Sequence, residues 1–318
     1  MGKTVTDNRL KKEFILPPFS VLNSTTGNWQ ERKRWWLSLG IKSEEGRDQN
    51  LLGFSKTVVA HGAKNVSIFD PVLCELMYKW FIPEKGTILD PFAGGSVRGI
   101  VAELKEYKYT GIELRPEQVE SNKKQAKELS VSPKWIVGNS CHIVPLLEES
   151  FDFIFSCPPY YDLETYSNLD GELSCMSTYD EFLKDYRNII KNCVKRLKDN
   201  RFACFVVSEI RDRDGYYRGF VHDTIKAFQD AGMKFYNELI LVGSTGSLGL
   251  RIKKFFVPTR KIGRMHQNVL VFYKGDVKKI FPIKMNYEVE SIDRWFGEVK
   301  KEPKVEEKKE EKEIDWSI

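Results

Sequence analysis

Three short clusters in this sequence hold the turns and side chains from which chemistry can be built. In Asp90-Pro91-Phe92-Ala93-Gly94-Gly95-Ser96, glycines stand where a strand should give way to a helix. Backbone without a Cβ can turn sharply there and approach a ligand closely. Glu113 falls near the end of the next strand, where a carboxylate can accept hydrogen bonds from the ribose hydroxyls of a nucleoside. Cys157-Pro158-Pro159-Tyr160 follows an apolar run, and its two prolines fix an extended exit and remove two backbone donors. The Pro158 carbonyl is left as an acceptor and Tyr160 as a flat face. That suits a nucleobase drawn out of its stack, its ring on the aromatic and its amino protons on fixed acceptors. A rigid loop that packs Tyr160 into the core fits the same residues.

The glycine turn does not have the G-x-G-x-x-G spacing of a dinucleotide site, since Gly94-Gly95-Ser96-Val97-Arg98-Gly99 departs from it. It also lacks the Gly-Lys-Ser/Thr ending of a phosphate-cradling loop. Both negatives favour a nucleoside cofactor without a pyrophosphate. The six cysteines form no C-x-x-C pair and the four histidines are scattered. Neither a metal site nor a disulfide framework is therefore expected.

Short apolar runs alternate with amphipathic stretches around these clusters. Strands are predicted at Thr87–Asp90, Tyr109–Leu114, Lys134–Val137, Phe151–Ser156, Phe202–Val207, Phe235–Val242 and Val269–Tyr273. Helices are predicted from Ser96 to Lys105, after Pro116, over 179–197 and from Val221 to Ala231. The 179–197 helix has the clearest stripe, from Tyr179 and Phe182 through Tyr186 and Ile190 to Leu197, a core face rather than a site. Thr178 and Glu181 make a capping box at its start. This alternation implies an α/β fold, a largely parallel sheet with helices on both faces.

The 318 residues are 41% hydrophobic and 30% charged, enough for one substantial core. The formal net charge of +5 is modest, but it is unevenly spread. No carboxylate occurs between Glu238 and Asp276, an interval holding Arg251, Lys253, Lys254, Arg260, Lys261 and Arg264. Read as a loop, Gly243–Arg264 can meet phosphates on the substrate face or be an ordinary solvated loop. The cluster Trp29, Arg32, Lys33, Arg34, Trp35, Trp36 can stack on bases or cover the core. Asp162, Glu164, Asp170 and Glu172 either shape a flap after Tyr160 or are solvated. No apolar run is long enough to span a bilayer and no signal core opens the chain, so a reducing, cytoplasmic setting is expected.

Together the clusters resemble the amino-methyltransferases of DNA. In that family an Asp-Pro-Phe-x-Gly turn binds S-adenosylmethionine, and an Asp, Asn or Ser followed by Pro-Pro-Tyr binds the target base. The resemblance covers about Ser67 to Lys274, in the gamma-like motif order, and the Arg260–Lys274 stretch, with His266-Gln267-Asn268 leading into a last strand, is similar to phage and bacterial members. It implies a Rossmann-like methyltransferase fold. It implies cofactor contacts at Phe69, Asp70, Asp90, Phe92, Ala93, Gly94, Gly95, Ser96, Glu113, Asn139 and Ser140, with Ser67–Pro71 closing over the methionine end. It places catalysis at Cys157, Pro158, Pro159 and Tyr160, without a metal.

Two residues depart from the pattern. Ser96 stands where many members have glycine, and Cys157 replaces the usual Asp, Asn or Ser. A thiol is a poor acceptor, which leaves the Pro158 carbonyl or Ser156 to help. A cysteine nucleophile does not follow, because cytosine-5 enzymes place theirs in another context. The expected division is an N-terminal extension at 1–60 with possible nucleic-acid contact, a methyltransferase domain at 61–275, and a tail at 276–318, disordered in its charged part. The expected activity is methylation of adenine N6 or cytosine N4 in DNA. RNA is the alternative substrate, and a non-catalytic nucleic-acid-binding protein that keeps the fold is the alternative class.

Overall fold

Phe151–Ser156 is buried at every position, as a strand covered on both faces must be. The computed structural model, which describes residues 16–41, 69–161 and 173–283, places it as β5 inside an eight-stranded sheet. The other strands are β1 (Val21–Asn23), β2 (Thr87–Asp90), β3 (Lys108–Glu113), β4 (Lys134–Val137), β6 (Leu197–Val207), β7 (Lys234–Val242) and β8 (His266–Lys274). Their order is β1-β7-β8-β6-β5-β2-β3-β4. Only β8 runs antiparallel to its neighbours, β6 and β7. The sheet is therefore largely parallel, as expected.

Alternation along the strands builds two cores. Phe202, Cys204 and Val206 of β6 join one with Phe153 and Phe155, beneath α2 (Pro71–Phe81) and α3 (Val97–Leu104). Ala203, Phe205 and Val207 join the other, beneath α6 (Tyr179–Arg196) and α7 (Phe220–Asp230). Helix α4 (Pro116–Glu128) adds Val119 and Ala126 to the first. The predicted capping box forms: the Glu181 amide donates to Thr178 Oγ1 at 3.2 Å and the Thr178 amide to Glu181 Oε2 at 3.3 Å.

The tryptophan cluster belongs to the core. Helix α1 (Gly27–Ser38) buries Trp29 and Trp36 almost completely and Trp35 at 7% exposure. Arg32 pairs with buried Glu75 of α2 at 2.6 Å, and Trp36 Nε1 donates to the same carboxylate at 2.8 Å. Residues 16–41 thus add an edge strand to the sheet and pack a helix against α2. The tryptophans are consequently not available to stack on bases.

The reading of Gly243–Arg264 as a loop needs correction. The segment is built around a helix, α8 (Leu248–Thr259), none of whose residues is buried. The acidic residues 162–172 and the charged C-terminal tail lie outside the described residues.

Candidate active site

The turn after β2 is locked from behind. Asp90 is fully buried. Its Oδ2 accepts from Arg98 Nε at 2.6 Å and the Tyr109 hydroxyl at 2.7 Å, and its Oδ1 from the Ser156 hydroxyl at 2.5 Å and the Phe92 amide at 3.2 Å. Arg98 also donates to the carbonyls of Phe92 and Ala93. Burial works against the Arg98 charge, yet Asp90, Tyr109 and Cys157 together outweigh it and push the guanidinium's pKa up. Burial and the Asp90 charge likewise push the Tyr109 phenol up. Asp90, Ala93 and Ser96 therefore stand behind the cavity wall and shape the turn. Ser156, whose hydroxyl is committed to Asp90, is fully buried and does not face the cavity. Ser96 fits in place of glycine because its hydroxyl finds Gln125 Oε1 at 2.9 Å.

In front of the turn lies a cavity of about 750 Å³. Phe69, Asp70, Phe92, Gly94, Gly95, Glu113, Asn139 and Ser140 line it, together with Cys157, Pro158, Pro159 and Tyr160. The C-terminal ends of adjacent parallel strands β2 and β5 bring the two motifs to one space. Gly94 has φ 50°, and a Cβ there would meet nothing within 4 Å, so the turn opens onto free volume. Its amide donates to Glu113 Oε2 at 2.9 Å, while Glu113 Oε1 takes the Arg115 amide and Nε, each at 3.1 Å. Burial pushes the Glu113 carboxyl up, partly offset by Arg115 and these amides. Asn139 caps α5 (Ser140–Ile143) through the Cys141 amide, and the Ser140 hydroxyl donates to the Pro91 carbonyl at 2.5 Å.

Asp70 caps α2 through the Val72 amide, and its Oδ2 accepts from Trp29 Nε1 and Lys33 Nζ, both at 3.1 Å. Ser67 and Ile68 lie outside the described residues. Lys33, noted in the sequence only as part of the tryptophan-rich basic cluster, is also on the cavity wall. Its place depends on α1 folding back onto α2.

At the other end Tyr160 is half-buried. Its hydroxyl accepts from Gln267 Nε2 at 3.2 Å and its ring meets the Phe220 edge at 5.9 Å. The next residue, Tyr161, packs into the core instead. Cys157 is half-buried on the same wall and Pro158 is buried. Ser208, Glu209, His266 and Gln267 complete this corner. No local pattern marks Ser208 and Glu209, which follow the end of β6, whereas His266 and Gln267 open β8. Burial and then Arg264 hold the His266 imidazole below its ordinary value.

Of the basic residues, Arg251, Lys253 and Lys254 are exposed on α8. Arg260 is exposed but caps α8, donating to the carbonyls of Phe256 and Val257. Lys261 is half-buried and lies against Gly215. Arg264 lines the cavity and donates to the His266 carbonyl and to Asn268 Oδ1. The six basic residues thus divide between surface and support. Among the described residues no cluster of His, Cys, Asp and Glu is arranged to hold a metal, and no helix is long and apolar enough to cross a membrane.

No curated protein sequence matches this chain. Similar solved structures include a putative RNA methyltransferase, PH1948, from Pyrococcus horikoshii, at 13% identity, TM-score 0.46, and coverage of 78% of this chain and 100% of that one. A TehB-like SAM-dependent methyltransferase from Corynebacterium glutamicum shares 16% identity, TM-score 0.41, with 69% and 94% covered. TrmN from Thermus thermophilus shares 12%, TM-score 0.44, over 65% of this chain. The chain spans about half of TrmN, 49% of its length. A family described as methyltransferase domain matches residues 92–164, across the glycine turn and Tyr160. The open glycine cradle, the Glu113 carboxylate beside it and the size of the cavity fit S-adenosylmethionine, the cofactor of such enzymes. A second family, described as DNA methylase, matches residues 151–316, more than half of the chain, and this S-adenosylmethionine-dependent methyltransferase belongs to it.

Proposed function

We propose that the chain methylates an exocyclic amino group of a DNA base, adenine N6 or cytosine N4. The observation that carries this reading is the shared cavity, with Gly94 and Glu113 at one end and Pro158, Pro159 and Tyr160 at the other. Gly94, Gly95, Glu113, Asn139 and Ser140 would hold the nucleoside, and Phe69 and Asp70 the methionine end. When bound, S-adenosylmethionine supplies an electrophilic methyl group. Tyr160, braced by Gln267 and Phe220, offers the stacking surface for the base. The Pro158 carbonyl and the groups beside Cys157 accept the amino protons as the nitrogen becomes tetrahedral. Acceptors placed where positive charge develops favour the transition state over the ground state. Arg251, Lys253 and Lys254 on α8 contact phosphates, and recognition of the target rests on the cavity rim.

Incubation with S-adenosylmethionine labelled in its methyl group, with DNA and RNA in parallel, tests this directly. Label in DNA, recovered after digestion as N6-methyladenosine or N4-methylcytidine deoxynucleosides, is expected. Label in RNA alone would move the substrate to RNA. Label in neither would overturn the reading.

A further inference from the structure

We propose that Glu209 supplies the anionic acceptor that Cys157 lacks, taking the proton released by the target amine. The inference rests on the base-amine reading above. Parallel strands β5 and β6 pair through Ser156 and Phe205, so Tyr160 and Glu209 each stand four residues beyond the last pair, on adjacent strand ends. One step beyond the Val207–Asn268 pair of β6 and β8 come Ser208 and Gln267, and Gln267 reaches Tyr160. The same corner of the cavity therefore receives Tyr160, Ser208, Glu209 and Gln267.

Among the described residues, the carboxylates on the cavity wall are Asp70, Glu113 and Glu209. Glu113 sits beside the glycine turn, and Asp70 is occupied by Val72, Trp29 and Lys33. Glu209 is the one on the base side. Its Oε2 accepts the Gly219 and Phe220 amides at 3.1 and 3.2 Å, and its Oε1 accepts the Val221 amide at 3.1 Å. These bonds cap α7, whose own N-cap residue is a glycine without a side chain. A carboxylate has about four acceptor positions, so three fixed bonds orient the group and leave a further position on Oε1.

In the transfer the N–C bond forms as the S–C bond breaks, and the sulfur keeps the electron pair. The nitrogen gains a positive charge and sheds one proton to Glu209, which passes it to solvent. A thiol at position 157 offers no comparable acceptor, and Ser156 is committed to Asp90.

Transfer to DNA by the full chain is measured with labelled S-adenosylmethionine, and S-adenosylhomocysteine binding by calorimetry. Glu209→Gln should lower kcat by about a hundredfold, the scale of a lost proton acceptor, with S-adenosylhomocysteine affinity preserved. Adding Cys157→Asp to that variant should restore at least tenfold, because it returns a carboxylate to the base. Glu209→Asp keeps the charge near α7 while drawing the carboxylate back by one methylene, and should show a smaller loss with the same rescue. Glu209→Gln turnover within threefold of wild type would overturn the inference while the base-amine reading stands. A loss that Cys157→Asp does not reverse in either variant would reduce Glu209 to a helix cap. A wild type that methylates neither DNA nor RNA would overturn both.

Discussion

Arg98 Nε lies 2.6 Å from Asp90 Oδ2 inside the protein, and the same guanidinium holds the carbonyls of Phe92 and Ala93. The first acidic residue of the glycine turn thus works on the turn's own shape. Removing one partner of such a buried pair costs about 3–5 kcal/mol, because the other charge is left uncompensated. Arg98→Ala should lower unfolding free energy by that amount in a denaturant titration. The double variant Arg98→Met with Asp90→Asn should lose less, and an equal or larger loss would contradict the pairing.

In the proposed arrangement Glu113 is the cofactor-side acceptor. Hydrogen bonds to a charged group contribute about 1.5–3 kcal/mol, so Glu113→Ala should weaken S-adenosylhomocysteine binding by about ten- to a hundredfold. Burial raises this carboxyl, so on acidification it becomes neutral above the ordinary glutamate range. Wild-type affinity should therefore fall earlier on acidification than for an ordinary glutamate, and Glu113→Gln should remove that acid-side change. Calorimetry across the acid range reads both.

Tyr160 gives the opposite pattern. Stacking on an aromatic contributes about 1–3 kcal/mol per base. Tyr160→Ala should cut methyl transfer about ten- to a hundredfold, with S-adenosylhomocysteine affinity nearly intact. Tyr160→Phe keeps the ring and loses the hydroxyl that meets Gln267, so it should retain most activity. Equal losses in both variants would mean that the hydroxyl, not the ring face, matters.

Asp152 tests the fold rather than the site. Burial would raise its carboxyl, but Lys198 and Arg201, with the Thr87 amide, hold it below the ordinary aspartate value near 3.8. A depressed carboxyl stabilises the fold above the unfolded value, and that contribution disappears as pH falls through the folded value. Asp152→Asn should therefore lower Tm most at neutral pH, and the gap should close in strong acid. A gap independent of pH would contradict the ion pairs.

Lys253 and Lys254 are exposed on α8, and each phosphate contact releases about one counterion. Changing both to Ala should weaken DNA binding at low salt and reduce the slope of log affinity against log salt by about two. An unchanged slope would place the DNA elsewhere.

Much of this arrangement is legible in the sequence because it is local. The strand exits at Asp90 and Ser156, the Thr178–Glu181 cap and the stripe of α6 are written in neighbouring residues. What is not legible depends on distant partners. Nothing near Trp36 says that Glu75 accepts its indole proton, or that Lys33 reaches Asp70. Glu209 carries no motif, and only adjacent strand ends bring it and Gln267 to the corner that Tyr160 occupies. Helix α8 is missed because Gly249 and Pro258 within it, and the glycines and serines of 243–247 before it, read as a loop, and its apolar residues pack into no core that would give them a period. Cys157 remains the departure that the local motif does not explain, and a residue on the neighbouring strand answers it.

Among the described strands, the short β1 pairs with β7, and Ser24 Oγ bonds to the Val242 carbonyl 218 positions later. At ribosomal rates of about 5–20 residues per second, that separation is roughly ten to forty seconds of synthesis. Throughout that interval Leu22 has no strand to join. Position β8 adds a further delay, since β7 is held to the sheet through it. The earliest of the described strands is thus among the last to be seated.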